Sequence, residues 1–128
     1  MRRQNLLLIS LTILILSCSR DSFEPQNLDC DEVITYDGLI KPIIDSSCSY
    51  SGCHDGSGIG PLDYSNYNGM LPHLQSGSFT SRVINSRDLP VLGMPPDIGT
   101  YPQAMKSDLT DEEWNLVNCW LDNGFPEN

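Results

Sequence analysis

Apolar side chains recur every three or four residues in three stretches of this chain, and each stretch predicts helix. The first carries Val33, Tyr36, Leu39, Ile40, Ile43 and Ile44 on one face and leads into Cys48. Pro42 lies inside it. An interior proline removes a backbone donor and collides with the turn before it, so the helix either kinks there or begins near Leu39. The second stretch is weaker: Tyr67, Met70, Leu71 and Leu74, a break at Gly77, then Phe79, Val83 and Ile84, which read as two short helices. The third is the clearest. Thr110 and Glu113 stand at capping-box spacing, Asp111, Glu112 and Glu113 suit the positive end of a helix, and Gly124 marks its stop. Leu109 is placed to staple onto Trp114. Trp114, Val117, Trp120 and Leu121 share an arc of about 120°, a stripe that requires a core.

Between these stretches the chain reads as loop. Ser46 to Gly60 is rich in serine and glycine, and Leu89 to Pro102 holds Pro90, Pro95, Pro96 and Pro102 with Gly93 and Gly99, a density that neither helix nor strand survives. No stretch alternates with period two for long enough to form a strand, and there is no internal repeat. The expectation is one all-α domain of three to five short helices with long ordered loops, which suits a chain of 128 residues.

The N-terminus has a different pattern. Arg2 and Arg3 precede an almost unbroken apolar run from Leu6 to Leu16, too short to span a bilayer comfortably, followed by Ser17 and Cys18. Leu14-Ile15-Leu16-Ser17-Cys18 resembles a bacterial lipobox, in which cleavage precedes a cysteine diacylated on sulfur; the competing reading is a plain signal peptide cut elsewhere. The expected organisation is a lipoprotein signal peptide over 1–17, a flexible lipid-anchored stalk over 18–32 and a folded domain over 33–128. Acyl chains on Cys18 would anchor the protein in the cell envelope, with the expected place the outer membrane, facing the periplasm or the exterior.

Composition then narrows the partners. Seventeen acidic against seven basic residues give a net charge of -10, which opposes binding to a phosphate backbone, so no nucleic acid partner is expected. At 39% apolar and 19% charged the chain is not a disordered one. Its five cysteines, in an exported chain, point to disulfides or covalent attachment.

The candidate chemistry lies in Cys48-Ser-Tyr-Ser-Gly-Cys53-His54. Haem is attached covalently when two thiols add across its vinyl groups and the adjoining histidine ligates the iron, the basis of the C-x-x-C-H signature. Here the gap is four residues, so Ser49 to Gly52 must loop out, and Ser49, Ser51 and Gly52 are small enough to allow it. Gly93-Met94-Pro95-Pro96 places a methionine in a proline-stiffened loop after the histidine, and His/Met ligation is the arrangement that raises an iron's potential. Gly60-Pro61-Leu62 offers a backbone carbonyl to the second ring nitrogen of His54. His73 and Met70 are rival sixth ligands. The competing readings are a Cys48–Cys53 disulfide beside an ordinary surface imidazole, and a metal site that lacks its fourth ligand. Tyr64, Tyr67, Trp114 and Trp120 read as core and wall.

With these parts in this order, the chain resembles small class I c-type cytochrome domains found in secreted and lipid-anchored bacterial proteins. The shared pieces are Ile40-Lys41-Pro42-Ile43-Ile44, Cys53-His54-Asp55-Gly56, Leu62, Met94-Pro95-Pro96, and Leu109-Thr110 leading to Trp120-Leu121-Asp122-Asn123-Gly124, spanning about Thr35 to Gly124. The resemblance implies one covalent haem c on Cys48 and Cys53, with His54 as proximal and Met94 as distal ligand and the first and last helices crossing. The four-residue gap departs from the family pattern.

The activity so implied is one-electron carriage to a redox partner protein, and not an enzyme reaction. The alternative is a non-haem, disulfide-stapled envelope lipoprotein with a binding or structural role. A haem enzyme or gas sensor is a third class, for which the sequence offers no distal acid or base. Cys30 and Cys119 remain, and the exported context pairs them. On the last helix Cys119 lies about 140° round from Trp114, off the apolar stripe, where the stalk carrying Cys30 would cross. Two separate buried thiols are the other possibility.

Overall fold

The computed structural model describes residues 30–128. The expectations for the 1–17 signal peptide, for Cys18 and for nearly all of the 18–32 stalk fall outside them. Among the described residues the protein is all-α, with four α-helices and no strand beyond an isolated bridge between Asp55 and Asp63.

Thr35 caps the first helical segment, its side chain accepting from the Gly38 N–H at 3.2 Å. A Cβ on residue 38 would lie 2.8 Å from that same oxygen, so the cap requires glycine. The segment begins as a π-helical turn, Tyr36–Ile40, and continues as α1, Lys41–Ser47. The wide turn is where Pro42 is accommodated. The Lys41 N–H reaches back five residues to the Tyr36 carbonyl, and Pro42 sits in the first turn of α1, where its missing donor is harmless. The expected stripe is corrected at two positions, Val33, which precedes the Thr35 cap, and Leu39, in the wide turn: both face solvent, while Ile34, Tyr36, Ile40, Ile43 and Ile44 are buried. A helix of constant 3.6-residue period does not describe this face.

Helix α2, Tyr67–Gln75, is capped by Asn66, which accepts from the Gly69 N–H. Gly69 has no room for a side chain, because a Cβ there would run into the Asp63 carbonyl. Gly77, at φ 74°, turns the chain into α3, Ser78–Thr80, and a second π-helical turn, Ser81–Asn85. The two short helices expected after the His54 loop are these.

Helix α4, Asp111–Asp122, has the capping box in full: Thr110 Oγ1 accepts from the Glu113 N–H, and Glu113 Oε2 accepts from the Thr110 N–H. Lys106 donates to the same Glu113 carboxylate and to Ser47 Oγ, joining the cap to the end of α1. Arg87 holds the other flank, donating to Asp108, Asp111 and the Leu109 carbonyl beside the Trp114 ring. Gly124, at φ 81°, follows the helix as expected.

α4 packs across the Tyr36–Ile40 turn, and Trp120 is fully buried there against Tyr36, Phe79 and Phe125. The last residues fold back beneath this contact. Trp120 Nε1 and the Tyr36 N–H both donate to the Pro126 carbonyl, the Asp37 N–H to Glu127 and the Tyr67 hydroxyl to Phe125. Cys119, expected off the core stripe, is in the buried cluster. It is bonded to Cys30, which packs against that cluster, with Cα atoms 5.3 Å apart across 89 residues of sequence.

Candidate cofactor cavity

Cys48 ends α1, its N–H still bonded to the Ile44 carbonyl, and its side chain is buried. The chain then closes on itself. The Cys53 N–H meets the Tyr50 carbonyl at 3.0 Å and the His54 N–H meets the Cys48 carbonyl at 3.1 Å, so the four intervening residues bulge outward and the two cysteines and the histidine stay together. Gly52, at φ 91°, makes the bulge possible. The Tyr50 hydroxyl accepts from the Met105 N–H and ties the bulge to the loop before α4. The looping-out expected from small residues is therefore present, with Tyr50 as its anchor.

His54 is oriented on three sides. Its Nδ1 lies 2.8 Å from the Pro61 carbonyl; a carbonyl only accepts, so this bond selects the tautomer of the neutral ring with the proton on Nδ1 and the lone pair on Nε2. Gly60 passes so close to the ring that a Cβ would come within 2.6 Å of Cε1 and Nδ1. Tyr64 stacks on the imidazole, centroids 4.2 Å apart and planes 7° from parallel. The Tyr64 N–H is bonded to the His54 carbonyl at 2.7 Å and its hydroxyl to His73 Nδ1. Tyr64 was expected as wall; its contact with the imidazole went unforeseen, because nothing in the sequence shows that residues 54 and 64 meet across the Asp55–Asp63 bridge.

Met94 is held from the π-helical turn after α3. Its N–H donates to the Arg82 carbonyl at 3.1 Å, and the Arg82 guanidinium donates to the Leu92 carbonyl at 2.9 Å, so one residue grips the loop on both sides of Gly93. Gly93 lies against the carbonyls of Ser86, Arg87 and Leu89, and the Met94–Pro95 peptide is cis. Arg82 was not foreseen from the sequence.

Cys48, Cys53, His54 and Met94 all line one cavity of about 340 Å³. Such a volume lies in the range of small-molecule and cofactor sites. Phe79 and Val83 contribute apolar wall, and His73 and Arg82 polar positions. Of the two rival ligands, Met70 is fully buried in the core and off the cavity wall, whereas His73 reaches the wall with Nδ1 engaged by Tyr64.

Burial, with Cys53 nearby, pushes the Cys48 thiol up to about 12, so it is fully protonated at neutral pH. Burial and then Cys48 raise Tyr64, and burial and then His54 lower His73, so the Tyr64–His73 hydrogen bond joins neutral partners. Cys48 and Cys53 are free thiols, which corrects the competing disulfide reading at this site. Among the described residues no three His, Cys, Asp or Glu side chains are grouped as metal ligands.

No protein-family model, curated protein or solved structure matches the chain. The functional reading therefore stands on the cavity itself. Haem c fits the residues present: two unpaired thiols, an imidazole with its outer nitrogen free, a thioether on the same wall, and a glycine whose missing side chain leaves room for the imidazole. Cys18 falls outside the described residues; Cys30 and Cys119 form the expected disulfide. Among the described residues no helix is long and apolar enough to cross a membrane.

Proposed function

We propose that this protein is a monohaem c-type cytochrome domain that carries single electrons and is tethered to the cell envelope through Cys18. The observation that carries the reading is the convergence of Cys48, Cys53, His54 and Met94, the first and last 46 residues apart in sequence, on one cavity wall. In this reading Cys48 and Cys53 would hold the haem through thioethers, and His54 and Met94 would ligate its iron. A haem so ligated supplies one-electron chemistry at iron, with the methionine sulfur favouring the ferrous state.

The chain's own residues do the rest. The Pro61 carbonyl fixes the His54 tautomer, Tyr64 and Gly60 fix its plane, and Arg82 sets the depth of Met94 in the cavity. Phe79 and Val83 keep water from the wall, which favours the less charged oxidation state. With His54 and Met94 both held for the iron, a bound haem would be left no open site for a substrate, which favours a carrier over an enzyme in this reading. The disulfide-stapled lipoprotein alternative shares the Cys30–Cys119 bond but gives the cavity and its two free thiols no role.

An absorption spectrum of the chain matured by export decides the matter. Sharp α and β bands on reduction, retained after acid–acetone extraction, are expected; a colourless protein, or colour that extracts, would remove the covalent haem.

A further inference from the structure

The loop that carries Met94 has a second face. Leu89-Pro90-Val91-Leu92 is folded into a tight turn, with the Leu92 and Gly93 N–H groups both bonded to the Leu89 carbonyl. It presents Leu89, Val91 and Leu92 to solvent, Val91 at 66% exposure. Beside this apolar knob runs an open groove of about 400 Å³ lined by Leu89 and Pro90 together with Asp88, Asp97 and Asp108. Pro95 lines both this groove and the cavity that holds Met94, so a single residue separates the two.

The charge of the groove is not neutralised from within. Its one cation, Arg87, is engaged by Asp108, Asp111 and the Leu109 carbonyl. Among the described residues Asp88 and Asp97 make no ion pair, Lys41 and Lys106 are paired with Asp45 and Glu113, and Arg82 is spent on the Leu92 carbonyl. An exposed apolar knob beside unpaired carboxylates is the surface complement of a partner with an apolar recess and a rim of lysines or arginines. An anionic lipid surface is disfavoured by the same carboxylates.

The geometry points to this groove and knob as the docking face for a basic redox protein, which exchanges an electron with the cavity across Pro95. The inference rests on the electron-carrier reading and names its partner class. One electron moves and no bond forms or breaks: the reduced chain is oxidised as the partner is reduced.

Stopped-flow oxidation of the reduced holoprotein tests it, with a lysine-rich ferric cytochrome as the protein oxidant and neutral p-benzoquinone as the small one. At low salt, Asp88→Lys with Asp97→Lys should slow the reaction with the basic protein about tenfold or more, the lower range of electrostatic steering, and high salt should erase most of the difference. Asp122→Lys with Glu127→Lys, the same charge change elsewhere, should slow it less than twofold. Val91→Ser should slow it at high salt as well, and the quinone reaction should be unchanged in every variant. Equal slowing by the two charge-reversed pairs would overturn the docking face while leaving the electron carrier intact. A preparation with no covalent haem spectrum would instead overturn the carrier reading, and the docking face with it.

Discussion

Gly60→Ala is the substitution whose consequence follows most directly from the cavity. The added methyl carbon would sit 2.6 Å from His54 Cε1 and Nδ1 and 2.9 Å from Cγ, where ordinary contact begins near 3.4 Å, so the ring must move by several tenths of an ångström or more. It cannot move towards Tyr64, whose ring already lies at stacking distance. The imidazole therefore tilts, and the 2.8 Å bond from Nδ1 to the Pro61 carbonyl is lost or bent. Losing that bond removes about 1 kcal/mol, and crowding a packed site costs about 1–3 kcal/mol. Fewer conformations in the unfolded chain return about 0.4–1 kcal/mol, leaving a net destabilisation of roughly 1–3 kcal/mol. Urea unfolding followed by circular dichroism measures the stability, and the Soret and long-wavelength ferric bands of the same preparation report the imidazole. A variant within about 0.5 kcal/mol of the parent, with an unaltered spectrum, would show that His54 does not stand where Gly60 and Pro61 hold it.

Replacing both Cys30 and Cys119 by alanine opens a loop of 89 residues, which in the chain-entropy account removes about 4–5 kcal/mol, and a thermal melt should fall by roughly 20 °C; a fall of only a few degrees would refute it. Met94→Ala should abolish the weak ferric band at the red end of the spectrum and lower the potential. Arg82→Gln, which frees the Leu92 carbonyl, should weaken that band without abolishing it; an unchanged Met94→Ala spectrum would mean that another residue is the ligand, with His73 the next candidate. Burial opposes ionisation of Glu113, but the bonds and charge of Lys106 and the Thr110 N–H outweigh it and hold the carboxyl below its ordinary 4.5. Its stabilising effect is therefore complete above about pH 4.5 and is lost as the pH falls through the lowered native value. Glu113→Gln should flatten the acid limb of a stability–pH curve, and parallel curves would contradict the assignment.

What the sequence disclosed was local. The Thr110 and Glu113 cap, the stop at Gly124, the helix break at Gly77 and the Gly60-Pro61 carbonyl for His54 all depend on residues a few positions apart, and each is present. The Cys30–Cys119 pairing was reached by counting thiols in a chain read as exported. The first helix was misread at Val33, which precedes the Thr35 cap and is not helical, and at Leu39, where a π-helical turn shifts the phase of the apolar stripe in a way a single-period wheel cannot show. Tyr64 and Arg82 act through bonds to backbone ten and twelve residues away, at His54 and Met94. Backbone carbonyls leave no mark on residue type, so those roles emerge only from the folded chain.

The return of residues 125–127 beneath the first segment has a consequence for how this core can close. Four donors, including the indole of the fully buried Trp120 and the first two N–H groups of the Tyr36–Ile40 turn, find their acceptors on the consecutive carbonyls of Phe125, Pro126 and Glu127. In chain order those carbonyls come after every donor they serve. Without them, closing the core would strand the Tyr36 N–H and the Trp120 indole, both on buried residues, at about 1–3 kcal/mol each. That is a large share of the roughly 5–15 kcal/mol that holds a domain together. The core therefore closes only with residues 125–127 in place, and the first and last segments of the described fold form as one unit.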